Sequence, residues 1–276
     1  MSESTVLHRL QDGVMIITFN RPEVLNALDF PTTEAFVQAI QVCKADDDVH
    51  AVIITGAGFG FCAGGDMKAL WKYIQRGGTA SQYLRDLTAL LHRATTDLCL
   101  IEKPVIAAIN GVASGAGMSF AAACDLRLAG ESARFKQAFT SIGLTPDSGW
   151  TTLVPQIIGL AKASELLLLD PVLDAKQALG LGLVLEVVQD DKLAERSQEV
   201  AIRLAKGPRT ALGGAKSLLN AALLPMLVSQ LERERQRIII QAESEEFIER
   251  LTAFVKKCRP YREGVRDARH EENHSI

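Results

Sequence analysis

Apolar residues recur along this chain with two spacings, one suited to strands and one to helices, and the two alternate. Val6 to Leu10 and Val14 to Phe19 are β-type runs flanking Gln11-Asp12-Gly13, and a Gly after Asp between such runs predicts a hairpin. From Thr32 to Ala45, the residues Ala35, Phe36, Ala39, Ile40 and Val42-Cys43 fall at helical spacing, and the helix ends before Asp46-Asp47-Asp48. A strand at Ala51 to Thr55 follows, then a helical region over 66–102 broken near Gly77-Gly78, then a strand at Val105 to Ile109. Asp125 to Ala129 and Ala133 to Phe135 read as further short strands, and the composition changes after Leu183 to Val188. Beyond about Asp190 the pattern is almost unbroken helix to Lys257, punctuated by Gly207-Pro208 and Pro225. Strands alternating with helices and followed by an all-helical segment predict an α/β fold over 1–189 and a helical C-terminal region over 190–276.

Composition narrows the classes of function. A chain of 276 residues, 47% hydrophobic and 23% charged, can bury a substantial core. Its net charge of −3 gives no basic footprint for nucleic acid. Met1-Ser2-Glu3-Ser4-Thr5 lacks the parts of a signal peptide, and no apolar stretch approaches the roughly 18 residues of a membrane span, so a cytoplasmic protein with no membrane partner is expected. Cys43, Cys62, Cys99, Cys124 and Cys258 are scattered, with no Cys-x-x-Cys pair and no adjacent histidine, which predicts reduced thiols and no metal site. The tail from Arg262 to Ile276 reads as frayed.

Two glycine-rich turns carry the chemistry. Phe61-Cys62-Ala63-Gly64-Gly65-Asp66-Met67 and Asn110-Gly111-Val112-Ala113-Ser114-Gly115-Ala116-Gly117 each follow a β-type run and lead into a helical pattern. Turns free of bulky side chains can aim backbone N–H groups at one spot, which is how an oxyanion hole for a carbonyl oxygen is built. A single such turn is more often just a tight strand-helix connection. Gly58-Phe59-Gly60-Phe61-Cys62-Ala63 also matches the dinucleotide pattern G-x-G-x-x-A. That pattern needs a second strand ending in Asp or Glu about twenty residues on, and Lys68 to Glu102 offers only helix.

Asn20-Arg21-Pro22 with Asn26-Ala27-Leu28, Phe61 through Met67, and Lys103-Pro104 through Gly117 followed by Asp125 resemble the signature segments of the crotonase, or enoyl-CoA hydratase/isomerase, superfamily, over roughly residues 6 to 260. The resemblance implies a spiral of β-β-α units with a C-terminal helical trimerisation region. It also implies oxyanion N–H groups at Gly65 and Ala116 for the enolate of a coenzyme A thioester, which is the substrate, with no further cofactor.

The side chains around that hole decide the reaction. Aligned on the family, the two glutamate positions of hydratases fall at Ser119 and Phe139, neither of which activates water as a carboxylate does, so hydration is disfavoured. Asp147, in Pro146-Asp147-Ser148-Gly149, would by itself read as a turn or cap residue. The resemblance puts it where dienoyl-CoA isomerases and phenylacetate-pathway ring isomerases keep a catalytic Asp, and Gly115 to Ser119, Gly159 to Ala163 and Glu165 to Leu169 are most similar to the ring isomerases. One carboxylate suffices to move a proton between carbons, an allylic double-bond shift. Phe139, Ile142, Pro146 and Trp150, if they line the pocket of Asp147, would raise its pKa. His92 reads first as a helix-boundary histidine. It also lies twelve residues before Pro104, where 4-chlorobenzoyl-CoA dehalogenases carry a functional histidine beside an Asp nucleophile at the Asp147 position. Those enzymes have Trp at the position of Phe139 and Phe at that of Gly65, departures that count against dehalogenation. Dehalogenation or thioester hydrolysis by Asp147 and His92 is the second reading, and an inactive CoA-binding subunit the third.

The resemblance further assigns Leu25, Ala27, Ala63, Asp66 and Met67 to the pantetheine and adenine, and Phe254 and Lys257 to the nucleotide. It implies a homotrimer or dimer of trimers. Trp71, Tyr73, Tyr83 and the 77–92 region are expected to shape the acyl pocket together with Ser119 and Phe139.

Overall fold

The computed structural model of the protein describes residues 4–257, so Cys258 and the tail from Arg262 onward lie outside the described residues. The chain opens on a hairpin of β1 (Val6–Gln11) and β2 (Val14–Phe19). Asp12 and Gly13 both have positive φ, 52° and 73°, the geometry a two-residue hairpin turn requires. Helix α1 (Phe30–Ala45) starts two residues before the predicted Thr32. The carboxyl of Asp29 accepts from Thr32 N at 3.0 Å, and Pro31 sits in the first turn, where it has no amide to waste.

A repeated unit follows, in which one strand joins a large sheet and the next a small one. These pairs are β3 (Ala51–Gly56) with β4 (Gly60–Cys62), β5 (Val105–Ile109) with β6 (Val112–Ser114), and β7 (Leu126–Gly130) with β8 (Arg134–Lys136). Helices α2 (Met67–Gln75) and α3 (Ala80–Leu100) follow the first pair, α4 (Ala116–Ala123) the second, and α5 (Trp150–Ile158) and α6 (Leu160–Leu169) the third. After β9 (Leu173–Asp174), α7 (Ala175–Gly180) and β10 (Glu186–Val188), the sheet orders are β1-β2-β3-β5-β7-β10 and β4-β6-β8-β9. This is the expected α/β spiral of β-β-α units. The break between α2 and α3 falls at the predicted glycines: Gly77 has φ +90°, and a Cβ on Gly78 would overlap the Tyr73 ring.

The large sheet is covered on both faces, which explains its near-continuous apolar strands. Val52 and Ile54 face the main core with α1 and α3. Ala51 and Ile53 face a second cluster built with Leu193, Ala201 and Ala205 of α8 (Leu193–Ala205). Strand β10 is short because the amides of Leu183 and Val184 turn back to the carbonyl of Ala178 and close the end of α7.

The C-terminal helices are α8, α9 (Arg209–Leu223), α10 (Leu227–Gln241) and α11 (Glu245–Lys257). Their breaks fall at Gly207-Pro208 and Pro225 as predicted, with one more at 242–244. There Ser244 Oγ donates to Gln241 O at 2.7 Å and accepts from Phe247 N at 3.2 Å, ending one helix and capping the next. Leu231, Ile238, Phe247 and Leu251 join the main core. No single described helix is long and apolar enough to cross a membrane.

Candidate active site

The two glycine turns lie side by side because β4 and β6 are parallel neighbours, with Gly60 paired to Val112 and Cys62 to Ala113. Close approach of the turns demands glycine. A Cβ on Gly64 would fall 2.8 Å from Ser114 O and 3.3 Å from Ala116 N, and one on Gly117 would overlap the carbonyl of Cys62. Gly115, at φ 53° and ψ −126°, occupies a region open essentially to glycine alone. Leu28 N donates to Gly64 O at 2.8 Å and Asp66 N to Leu28 O at 2.9 Å, so strand alternation directs the N–H of Gly65 to the opposite side. Ala116 is the first residue of α4, whose amide has no partner within the helix. Among the described residues, no acceptor takes the N–H of Gly65 or of Ala116.

The first turn is braced by the segment before α1. Asn26, at φ 59°, accepts from Arg21 N through Oδ1 and donates through Nδ2 to Ala57 O and Gly60 O at 2.9 and 2.7 Å. Ala63 N donates to Leu25 O at 3.0 Å. Arg21 reaches Ala27 O, Asp29 and Asp66. Both oxygens of Asp66 are engaged, Oδ1 by the amides of Lys68 and Ala69 at the start of α2 and Oδ2 by Arg21 at 3.0 Å. Leu25, Ala27, Ala63 and Asp66 thus form one scaffold at the first turn, and Met67 Cε stands 3.0 Å from where a Cβ on Gly65 would be.

Asp147 sits at the entrance to α5, at the left-handed corner made by Ser148 (φ 57°) and Gly149 (φ 84°). It is 5% exposed. Its Oδ1 accepts from Ser148 Oγ at 2.8 Å, and its Oδ2 takes no donor among the described residues. Burial raises its pKa to about 7, opposed by the Ser148 hydrogen bond and reinforced by the charge of Glu234. Ser119 Oγ donates to the main-chain oxygen of Asp147 at 3.2 Å. Ser119 stands three residues after Ala116 on α4, a rise of about 4.5 Å, so this bond brings the Asp147 corner within a helical turn of the second glycine turn. The ring of Phe139 borders the same turn, with Cζ 3.8 Å from the position of a Cβ on Gly115.

His92 is buried on α3 with Nε2 unpartnered among the described residues. Desolvation lowers its pKa to about 4, aided by Arg235 and opposed by Glu232, both on α10. Asp147 is not among the charges that act on it. Thr95, one turn further along α3, donates to Ser148 O at 3.0 Å. Trp71 of α2 packs half-buried against the core, and the ring of Tyr83 meets Phe30 edge-on and Tyr73 at a tilt, with centroids 4.8 and 5.3 Å apart. Phe254 and Lys257 lie on the exposed side of α11, which packs against α2.

Burial holds the thiols of Cys43, Cys62 and Cys99 at about 12 and raises Cys124 as well, so none is a ready nucleophile. No group of three or more His, Cys, Asp or Glu among the described residues is placed for a metal. A cavity of about 830 Å³ opens elsewhere, between the outer face of the large sheet and α8, lined by Ile16, Thr55, Leu193 and Ser197; Gly65, His92, Ala116 and Asp147 do not line it.

Sequence reasoning missed Glu234, Thr95 and Gln241, which hold the Asp147 loop from outside. Gly149 N and Thr151 N donate to Glu234 at 2.8 and 3.0 Å, and Thr145 N to Gln241 Oε1 at 2.7 Å. The signal for Glu234 was a carboxylate on the apolar stripe Leu227, Leu231, Glu234, Ile238.

Comparison with known proteins agrees with this architecture. The model of the enoyl-CoA hydratase/isomerase family matches residues 9–264. The chain is 36% identical over 255 residues to the 1,2-epoxyphenylacetyl-CoA isomerase of Escherichia coli K12, covering 92% of this chain and 97% of that protein. It is 33% identical over 249 residues to a 4-chlorobenzoyl coenzyme A dehalogenase of an Arthrobacter species, covering 89% and 88%. The solved structure of an enoyl-CoA hydratase from Mycobacterium avium subsp. paratuberculosis K-10 superposes with a TM-score of 0.83 at 34% identity, covering 94% and 98%.

Proposed function

The chain belongs to the enoyl-CoA hydratase/isomerase family, the crotonase superfamily, and on that premise we propose that it shifts a carbon–carbon double bond in an acyl-CoA. The thioester oxygen accepts from the amides of Gly65 and Ala116. Ionised Asp147 takes a proton from C2 of a 3-enoyl-CoA or a ring-derived acyl-CoA, the electron pair passes into the enolate, and the same carboxyl returns the proton at C4 as the 2-enoyl product forms. The step is redox-neutral and balances with one proton moved, so it calls for no cofactor beyond the CoA of the substrate.

The observation that carries this reading is the pairing of two unengaged amides with a single buried carboxyl tied through Ser119 to the same helix. A carbon acid next to a thioester is far weaker than a carboxylic acid, so both parts are needed. Each oxyanion donor is worth about 3 kcal/mol, and a base held near pKa 7 is stronger than an ordinary carboxylate. Hydration would require a second carboxylate to orient water. At the two alternative positions, Ser119 spends its hydroxyl on the main chain and Phe139 is a buried ring.

The remaining assignments belong to the same proposal. Leu25, Ala27, Ala63, Asp66 and Met67 border the CoA, Phe254 and Lys257 reach its nucleotide, and Trp71 with Tyr83 shapes the acyl pocket. The segment 190–276 serves assembly into a trimer or dimer of trimers, which the exposed Leu218, Leu219, Leu223 and Val228 of α9 and α10 support. A second reading, Asp147 as nucleophile with His92 as base, draws on the unpartnered Nε2 of His92 and on the likeness to the dehalogenase.

A panel of 3-enoyl-CoA, 2-enoyl-CoA and 4-chlorobenzoyl-CoA separates the readings. Conversion of the first to 2-enoyl-CoA, with little water added to the second, supports isomerisation. Chloride release from the third supports the nucleophilic reading, and inertness toward all three supports a non-catalytic subunit.

A further inference from the structure

Glu234 is 4% exposed on the inner face of α10, between Leu231 and Ile238. A carboxylate is rarely buried unless donors satisfy it. Among the described residues no cation does so. Oε2 accepts from Gly149 N at 2.8 Å, and Oε1 accepts from Thr151 N at 3.0 Å and from the Thr151 hydroxyl. Gln230 Nε2 reaches the same hydroxyl at 3.1 Å. The three donors favour the ionised form, opposing the burial that raises the pKa of Glu234. The carboxyl occupies the N-terminus of α5, whose dipole and free amides favour an anion there. Gly149 has no side chain with which to cap α5, so the cap comes from a residue 85 positions away.

We infer that Glu234 is a positioning residue for Asp147: by closing the first turn of α5 it fixes the Ser148-Gly149 corner that aims the Asp147 carboxyl. The corner is clamped from three sides, by Glu234 at Gly149, by Thr95 at Ser148 and by Ser119 at Asp147. Its left-handed Ser148 is a conformation a non-glycine residue holds only when its surroundings enforce it. The charge of Glu234 acts in the same sense, repelling the ionised form of Asp147 and making it a stronger base.

Other charged groups nearby do not share this position. Helix α4 carries none, and Lys162 and Glu165 of α6 are exposed and pair with each other at 2.6 Å. On α10, Glu232 pairs with Arg235, while Arg233 and Arg237 are exposed. On α3, Arg85, Asp86 and Arg93 are exposed, Asp97 is bound by Lys44, and His92 is influenced by Glu232 and Arg235.

The effect on rate rests on the isomerase reading, whereas the effect on Asp147 itself needs no substrate. The test therefore combines kinetics with an NMR titration of 13C-carboxyl aspartate, the Asp147 signal being assigned by its loss in Asp147→Asn. In Glu234→Gln the side-chain amide can confront the Gly149 N–H donor to donor. We expect kcat to fall about 10- to 100-fold with KM little changed, and the Asp147 midpoint to drop by about one pH unit. Glu234→Asp keeps the charge but shortens the reach, so kcat falls while the midpoint stays raised. A thermal melt alone lowered, with kcat per folded molecule and the Asp147 midpoint both as in the wild type, overturns the inference, as does a Glu234→Asp variant with full kcat. If the wild type itself does not isomerise enoyl-CoA, the isomerase reading fails, and the titration still judges the hold of Glu234 on Asp147.

Discussion

The hydroxyl of Ser119 donates to the main-chain carbonyl of Asp147 at 3.2 Å, linking the helix that starts at the second glycine turn to the corner that carries the buried acid. That bond makes the distance between amide and carboxyl a property of packed elements rather than of a loop. It also engages the hydroxyl of Ser119, the position at which the family resemblance would put a second acid. The absence of that acid and the placement of Asp147 are two sides of one arrangement.

Burying Asp147 has a cost in stability. Its folded-state pKa, about 7, lies above its ordinary 3.8, so between those values the unfolded chain loses a proton that the folded chain keeps. Stability therefore falls as pH rises from about 4 to 7 and then levels off, by an amount on the order of 4 kcal/mol at most. Asp147→Asn removes this penalty. Thermal melts at pH 8 are expected to show the variant more stable than the wild type, with the advantage vanishing near pH 4. Equal melting temperatures at pH 8 would count against a desolvated acid.

Ala116→Pro deletes one N–H while suiting the first position of a helix, where proline is tolerated. If the amide holds an oxyanion, kcat should drop about 100- to 1,000-fold with the fold retained by circular dichroism. A kcat within a few-fold of wild type would remove Ala116 from the hole.

His92 should matter for acid stability more than for rate. Its folded pKa of about 4 lies below its ordinary 6.5, so stability is intact above 6.5 and is lost as pH falls toward 4, where the unfolded chain takes up the proton first. In His92→Asn the stability of the protein, measured by urea unfolding, should lose this slope, up to about 3 kcal/mol. Isomerisation at pH 8 should stay within a few-fold of wild type. A collapse of the rate in this variant would favour the nucleophilic mechanism.

The two turns were legible in the sequence because their chemistry is local: a strand, small residues and a helix start in one short string. The same holds for the Asp12-Gly13 hairpin and the Gly77-Gly78 break. What supports Asp147 was not legible. Glu234 reads as one polar position on an amphipathic helix, and its partners at 149 and 151 become neighbours only when α10 packs on α5. The break at 242–244 carries no Gly or Pro, since Ser244 makes it with a side-chain hydrogen bond. The short strand at 186–188 reflects competition from a helix end that periodicity does not report.

The most direct test compares single-turnover conversion of 3-enoyl-CoA to 2-enoyl-CoA by the wild type and Asp147→Asn, both shown folded by their melts. With Asp147 as the base, the wild-type rate rises with pH through about 7 and the variant loses about 100- to 10,000-fold at every pH. A variant that isomerises at the wild-type rate would contradict that role.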